Sequence, residues 1–440
     1  MFVMVLGILL NIQPAWSSTQ KQAKQKSTHK VTHVKTKPQA KTKATKRSTR
    51  AVATRPPLAS PPPVAEPILT RDGEAEARLV EIYTLVGHGK TRDALARADK
   101  LVIDYPNFQL AQLVHGDLLS SQVRPVRMLG DVPDTVAQAG ALTLANLREE
   151  SQVRLKALRE RPPAGTIPSQ FVALSPANQH AIAVDASRSR LYLFENSRSG
   201  LKLVADYYVS VGKSGIEKTL EGDQRTPLGV YFITSSLDPN SLKEFYGLGA
   251  LPINYPNPLD IKRGKTGSGI WLHGTPPDQF SRAPRASDGC VVLSNPDLER
   301  LLRTVRIRTT PVVIAQHLNW VRPDNVTKES RSFESYLSAW RLAKTGGDAE
   351  HVLGFYDPQF KSHDLTLAQW APTLRKEVSR VRGRKIELKD VSYLRWTDTA
   401  DTMVVTFGEV IQGMQSGPVK RQFWVRQGQH WKIFFEGVIG

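Results

Sequence analysis

The chain contains a single cysteine, Cys290, in the run Ser287-Asp288-Gly289-Cys290, and His273 stands 17 residues before it, followed by Gly274. A cysteine nucleophile needs a thiolate, hence a base or cation within hydrogen-bond reach. It also needs donors for the oxyanion that forms on the attacked carbonyl. Gly289 lets the backbone turn tightly, so that amide N–H groups around the thiol can face that oxygen. Gly274 would let a backbone carbonyl approach the other imidazole nitrogen and fix the tautomer. On spacing alone, a buried structural cysteine accounts for Cys290 about equally well. One cysteine excludes an internal disulfide, a Cys-based zinc site and an iron–sulfur cluster. No metal or cofactor is expected.

The elements that must position these residues have a period of two. Ala181–Asp185, Arg190–Phe194, Leu203–Val211, Gly229–Ile233, Ile270–His273, Cys290–Leu293 and Pro311–Ala315 read as strands broken by Asn, Ser and Gly turns. Asn295-Pro296-Asp297 reads as a helix start, with Asn as the cap and Pro at the first helical position. Cys290 then falls on a turn-to-strand junction just ahead of a helix.

Three motifs in this order, Gly222-Asp223-Gln224-Arg225-Thr226-Pro227-Leu228-Gly229, His273-Gly274-Thr275 and Ser287-Asp288-Gly289-Cys290-Val291, resemble the YkuD-type L,D-transpeptidase catalytic domain over about 140 residues. The resemblance implies a mostly-β catalytic domain, over 178–317, that acts on peptidoglycan stem peptides. It implies Cys290 as nucleophile, His273 as its base and Gly274 as the orienting carbonyl. The backbone of Gly289 and Cys290 would form the oxyanion hole. Ser287 sits where the family has Ser or Thr; Asp288 replaces its common His, and Val292 its usual Arg or Asn. Both departures bear on the acyl acceptor rather than on the nucleophile. Arg282 and Arg285 are candidate partners for a substrate carboxylate, because a guanidinium matches it bidentately; a solvated loop explains them equally well. Ser287 and Asp288 are further candidate substrate contacts, and Asp288 is equally a turn former. Thr226, Pro227 and Gly229 read as structural turn residues.

The flanking segments carry no such chemistry. Helical spacing over 75–161, with equivalent helices starting 34 residues apart, resembles a tetratricopeptide-like unit followed by one amphipathic helix over Asp134–Arg161. One and a half repeats stack poorly alone, so this face is expected to pack on the rest of the chain or on a second copy, as a dimer. His88 and His115 read as ordinary helix or turn residues. Residues 328–440 pattern as helices followed by four β-runs. They resemble the nuclear-transport-factor-2-like (NTF2-like) cone, a fold that often holds a second ligand. Trp370, Trp396, Trp424 and Trp431 read as core. The fold class is thus α+β multidomain. This order of modules also resembles the peptidoglycan LD-carboxypeptidases that set helical cell shape.

Composition bounds the setting. Formal charge is +19 over 440 residues, but residues 1–65 hold twelve Lys or Arg and no acid, which leaves +7 for the other 375. The basicity is largely one tail, so nucleic acid is not an expected partner. Met1–Leu10 is a ten-residue apolar run, too short to span a bilayer and of signal-peptide length, with Ala15 and Ser17 spaced for cleavage after residue 17. No Lys or Arg precedes it, so either the start codon is placed late or the segment is not a signal; export to the periplasm or cell envelope is the expectation. Residues 18–70, Lys/Thr/Gln-rich and then Pro-rich, read as a disordered linker. The expected function is an exported L,D-transpeptidase acting through a Cys290 thioester. Water as acceptor would instead make it an LD-carboxypeptidase or amidase, and an inert Cys290 would leave a wall-binding scaffold.

Overall fold

The computed structural model describes residues 73–439, apart from the side chain of Glu329. The expected signal segment and the whole of the linker lie outside the described residues.

Five helices open the described chain: α1 (Glu74–Gly87), α2 (Thr91–Asp104), α3 (Gln109–Ser120), α4 (Asp134–Ala139) and α5 (Ala141–Arg159). Leu79, Ile82, Ala94, Ala98, Leu101, Leu110 and Val114 close the core among the first three. The single helix expected over 134–161 is two, because the chain breaks at Gly140, which caps both. The apolar face of this module does pack on the rest of the chain. Phe280 of the central domain is only 6% exposed and sits among its core residues, 4.3 Å from the ring of Phe108 and 5.5 Å from that of Tyr105. The contact is fixed by the Phe280 N–H, which donates to the Asn107 carbonyl at 3.1 Å, and by Asn107 Nδ2, which donates to the Pro277 carbonyl at 2.9 Å. Ion pairs surround it: Glu76 on α1 accepts from Arg154 of α5 at 2.7 Å and from Arg190 of the central domain at 2.8 Å.

The central domain is built on a five-stranded sheet in the order Gly200–Tyr208, Arg190–Ser197, His180–Asp185, Pro311–Ala315, Gly229–Phe232. His180–Asp185 and Pro311–Ala315 run parallel, and the other pairs are antiparallel. These middle strands read as continuous apolar runs because both faces are covered. Ile182, Val184, Leu191 and Leu193 face the catalytic half of the domain. Ala181, Ala183, Tyr192 and Phe194 face the C-terminal domain. A smaller sheet, Val291–Val292, Trp271–His273, Ala250–Pro252, carries the candidate site. Two helices complete the domain: α6 (Pro258–Lys262), closed by an Asn257–Asp260 capping box, and α7 (Asn295–Thr304).

The C-terminal domain packs α8 (Pro323–Gly346), α9 (Ala349–Leu353) and α10 (Leu367–Val381) on one face of an antiparallel sheet: His430–Val438, Val419–Gln427, Asp401–Ile411, Ile386–Thr397. Its period of two sends alternate residues to two different cores. Met403, Val405 and Phe407 meet the helices, while Val404 meets the central domain. Trp424 is fully buried in the helix-side core. A fifth strand comes from elsewhere in the chain: Phe171–Ala173, ahead of the catalytic domain, pairs with Ile386–Thr397. The boundary at 178 therefore leaves one strand of the C-terminal sheet on its N-terminal side.

Candidate active site

Strand register brings the cysteine and histidine to one side of the small sheet. Val291 pairs with Leu272 and Val292 with His273, in parallel. Leu272 and Val291 both enter the core, so the alternate residues Trp271, His273 and Cys290 lie on the opposite face. By that register Cys290 stands beside Trp271, and His273 is its diagonal neighbour.

His273 is 1% exposed, and its Nδ1 lies 2.7 Å from the Gly274 carbonyl oxygen. A carbonyl only accepts, so Nδ1 carries the proton and Nε2 keeps its lone pair. Gly274 is required for this contact: a Cβ there would lie 2.1 Å from Asn295 Oδ1. The ring is walled by Tyr246, edge-on at 5.0 Å, and by Phe245 at 6.0 Å. Burial, opposed by the Gly274 hydrogen bond and helped by the Arg282 cation, pulls the imidazole pKa down to about 4.

Cys290 is half-buried, with Sγ 3.5 Å from the Gly269 carbonyl. Burial pushes its thiol up to about 11, against the opposing pull of the Trp271 backbone N–H and of Arg282. At neutral pH the resting pair is therefore a thiol and an uncharged imidazole. A histidine in this state can take the thiol proton as the sulfur attacks, without a standing ion pair.

The loop before the cysteine is fixed from both sides. Gly289 has φ 121°, and a Cβ there would stand 2.8 Å from the Arg225 carbonyl. Its own carbonyl accepts from Thr226 Oγ1 at 2.9 Å, and that hydroxyl accepts from the Gly212 N–H at 2.8 Å. Thr226 is buried and clamps the cysteine loop, as a structural turn residue should. Asp223 gathers the preceding loop, accepting from the backbone N–H groups of Thr219, Leu220 and Arg225 and from Lys218 Nζ.

Several expected contacts are placed differently. Ser287 is buried; its hydroxyl donates to the Cys290 carbonyl at 2.6 Å and accepts from the Gly289 N–H at 3.1 Å. It braces the loop and does not face a substrate. The same bond occupies the Gly289 amide that was expected to face the oxyanion. Asp288 points outward to an ion pair with Lys213 at 2.8 Å, and Arg285 pairs with Glu149 of α5 at 3.0 Å. Arg282 is the one candidate contact held beside the pair. It lies over the Phe245 ring at 4.1 Å and acts electrostatically on both Cys290 and His273. The helix cap is also corrected: Ser294, not Asn295, caps α7. Asn295 instead accepts from the Leu248 and Thr275 N–H groups and donates to the Thr275 carbonyl at 2.8 Å. Phe245, Tyr246 and Trp271 had carried no sequence signal as site residues, and Asn295 had signalled only a helix cap, since aromatic and amide side chains gain their role here only from their neighbours. A cavity of about 370 Å³ opens next to Arg282 and Phe245, and Asn146 and Leu147 of α5 form its far wall.

Residues 179–314 match the YkuD family model for the L,D-transpeptidase catalytic domain. The central domain is an L,D-transpeptidase catalytic domain. Residues 332–437 match the Cds6 C-terminal NTF2-like domain. The L,D-transpeptidase family indicates a peptidoglycan-modifying enzyme. Among solved structures, the chain is similar to Bd1075 of Bdellovibrio bacteriovorus, at 26% identity over 62% of this chain and 98% of that one, with a TM-score of 0.53. It is also similar to the helical cell shape determining protein Pgp2 from Campylobacter jejuni, at 25% identity over 61% and 95% of the two chains, with a TM-score of 0.50. No curated protein matches the sequence.

Proposed function

We propose that the protein is an exported L,D-transpeptidase of the cell envelope that acts on tetrapeptide stems of peptidoglycan through a thioester on Cys290. The observation that carries this is the shared sheet face of Cys290 and His273, with the imidazole held by the Gly274 carbonyl so that Nε2 is the basic nitrogen. Cys290 Sγ attacks the carbonyl of the third stem residue and its proton passes to His273 Nε2. The tetrahedral oxyanion takes the Cys290 backbone N–H, since the Gly289 amide is bonded within its own loop. On collapse the C–N bond breaks, His273 returns the proton to the departing D-Ala amine, and the thioester remains. An amine from a second stem then attacks the thioester carbonyl while His273 takes its proton; the C–S bond breaks, the proton returns to the Cys290 sulfur, and a cross-link or attachment is left. Arg282, which lies over the Phe245 ring beside the pair, is the group we assign to a substrate carboxylate. Likeness to a helical cell shape determining protein over 61% of the chain supports a role in envelope shape.

Purified protein incubated with tetrapeptide muropeptides should release D-Ala, and Cys290→Ala should not. Dimeric products by mass spectrometry are the expected outcome. Tripeptides alone would replace the amine acceptor by water and make the enzyme an LD-carboxypeptidase. Equal turnover by Cys290→Ala would refute the cysteine mechanism altogether.

A further inference from the structure

Arg421 lies on the strand Val419–Gln427 of the NTF2-like domain and is 8% exposed. Its Nε donates to Thr406 Oγ1 at 3.0 Å, its Nη2 donates to the Arg308 carbonyl at 3.2 Å, and its guanidinium carbon lies 3.1 Å from the ring centre of Phe232 in the catalytic domain. These contacts satisfy hydrogens and fix the plane of the group, but none of them brings a negative charge. Among the described residues, no carboxylate pairs with Arg421.

That is unusual within this protein. Buried Arg154 and Arg190 each hold carboxylates, and Lys420, the preceding residue, is ringed by Glu377, Glu409 and Glu436. A guanidinium does not escape burial by losing its proton, so an unpaired one is costly unless something else supplies the charge. Burial alone pulls the Arg421 pKa down to about 9, with no acid nearby to restore it.

Arg421 also lines a cavity of about 390 Å³ at the seam between the two domains. Phe232, Phe423 and Phe435 form apolar walls, and Asn254, Arg308 and His363 supply polar groups. Arg308 and His363 are exposed side chains on left-handed backbone, with φ 68° and 46°. A mostly apolar cavity of this size with one buried charged group is the usual build of a small-molecule site.

We propose that this interdomain cavity binds a small organic carboxylate, with its carboxylate on the Arg421 guanidinium and its apolar body against Phe423 and Phe435. A single buried cation matches a monoanion, and a phosphate would leave its second charge and further oxygens facing aromatic walls. The site lies outside the Cys290 cleft, and binding there is read without any turnover.

The test uses the full chain, titrated calorimetrically and melted in the presence of sodium benzoate, with inorganic phosphate and chloride at matched ionic strength as separate arms. Benzoate should bind saturably and raise the unfolding temperature, and phosphate should do so far less. Arg421→Met should weaken benzoate about tenfold or more, as loss of a charge-assisted hydrogen bond requires. Val438→Trp is a second variant at a 59% exposed position on the cavity lining; it leaves Arg421 in place and should block binding by filling space. Benzoate that fails to bind the wild type, or binding that survives either substitution, overturns the proposal. Phosphate binding as tightly as benzoate overturns the carboxylate assignment.

Discussion

Phe280→Ala tests whether the helical module holds the active-site loop. Phe280 belongs to the segment that runs from His273 to Cys290, yet its ring is buried between Tyr105 and Phe108 of the helical module. Removing a buried Phe side chain costs about 3–5 kcal/mol, through lost transfer energy and the cavity left behind. If about 3 kcal/mol of that falls on docking rather than on global unfolding, the loop opens about a hundredfold more often. Hydrogen exchange reports this directly, because the Phe280 N–H is bonded to the Asn107 carbonyl. Protection at Phe280 and over 276–284 should drop about a hundredfold, and D-Ala release should fall because Arg282 lies two residues on. Phe280→Leu keeps most of the buried volume and should recover most of the protection. Unchanged exchange at the Phe280 amide in the alanine variant would show that the loop is held by the catalytic domain alone.

Four further outcomes follow from the geometry. Iodoacetamide labelling of Cys290 at pH 7 should be about a hundredfold slower than that of a free cysteine and should keep rising towards the thiol pKa of about 11; a plateau below pH 7 would mean a preformed ion pair. Turnover should survive acidification until His273 protonates near pH 4, since its pKa is lowered and the neutral, basic form persists down to that value. Gly274→Ala drives a Cβ onto Asn295 Oδ1 and should cost about 2–3 kcal/mol, the worth of the displaced hydrogen bonds; Asn295→Ala in the same chain should return part of the lost melting temperature. Glu76, held near pKa 2 by Arg190 and Arg154 against the cost of burial, stabilises the fold by about 3 kcal/mol above pH 4.5. That contribution is lost as pH falls from 4.5 towards 2, and Glu76→Gln should flatten the acid limb of the melting curve.

The chemistry was legible in the sequence to the extent that it resided in residue types that ordinary structure rarely demands. A lone cysteine after a glycine and a histidine before one stood out, and both glycines prove to sit where a Cβ would collide. The strands of the central sheet were legible because β-branched runs on a sheet covered on both faces are long and apolar. What escaped had no local signature. Phe171–Ala173 is three residues long, and its strand character comes only from Ile386–Thr397, more than two hundred residues on. Ser287 looked like a substrate contact because a hydroxyl beside a nucleophile is chemically suggestive; its bonds run inward to the loop it closes. Asn295 looked like a cap from its Pro-Asp sequel, but Ser294 took the cap and left Asn295 to bind the histidine loop.

The same three-residue strand makes the catalytic domain an insertion between parts of one sheet. During synthesis, Phe171 waits on an open hydrogen-bonding edge while more than two hundred further residues are made. A chain cut short before Ile386 could complete the nucleophile and its base and still expose that edge together with the apolar underside of the enzyme sheet. A frameshift in the last third of the reading frame would then yield a sticky, self-associating product, even with every catalytic residue intact.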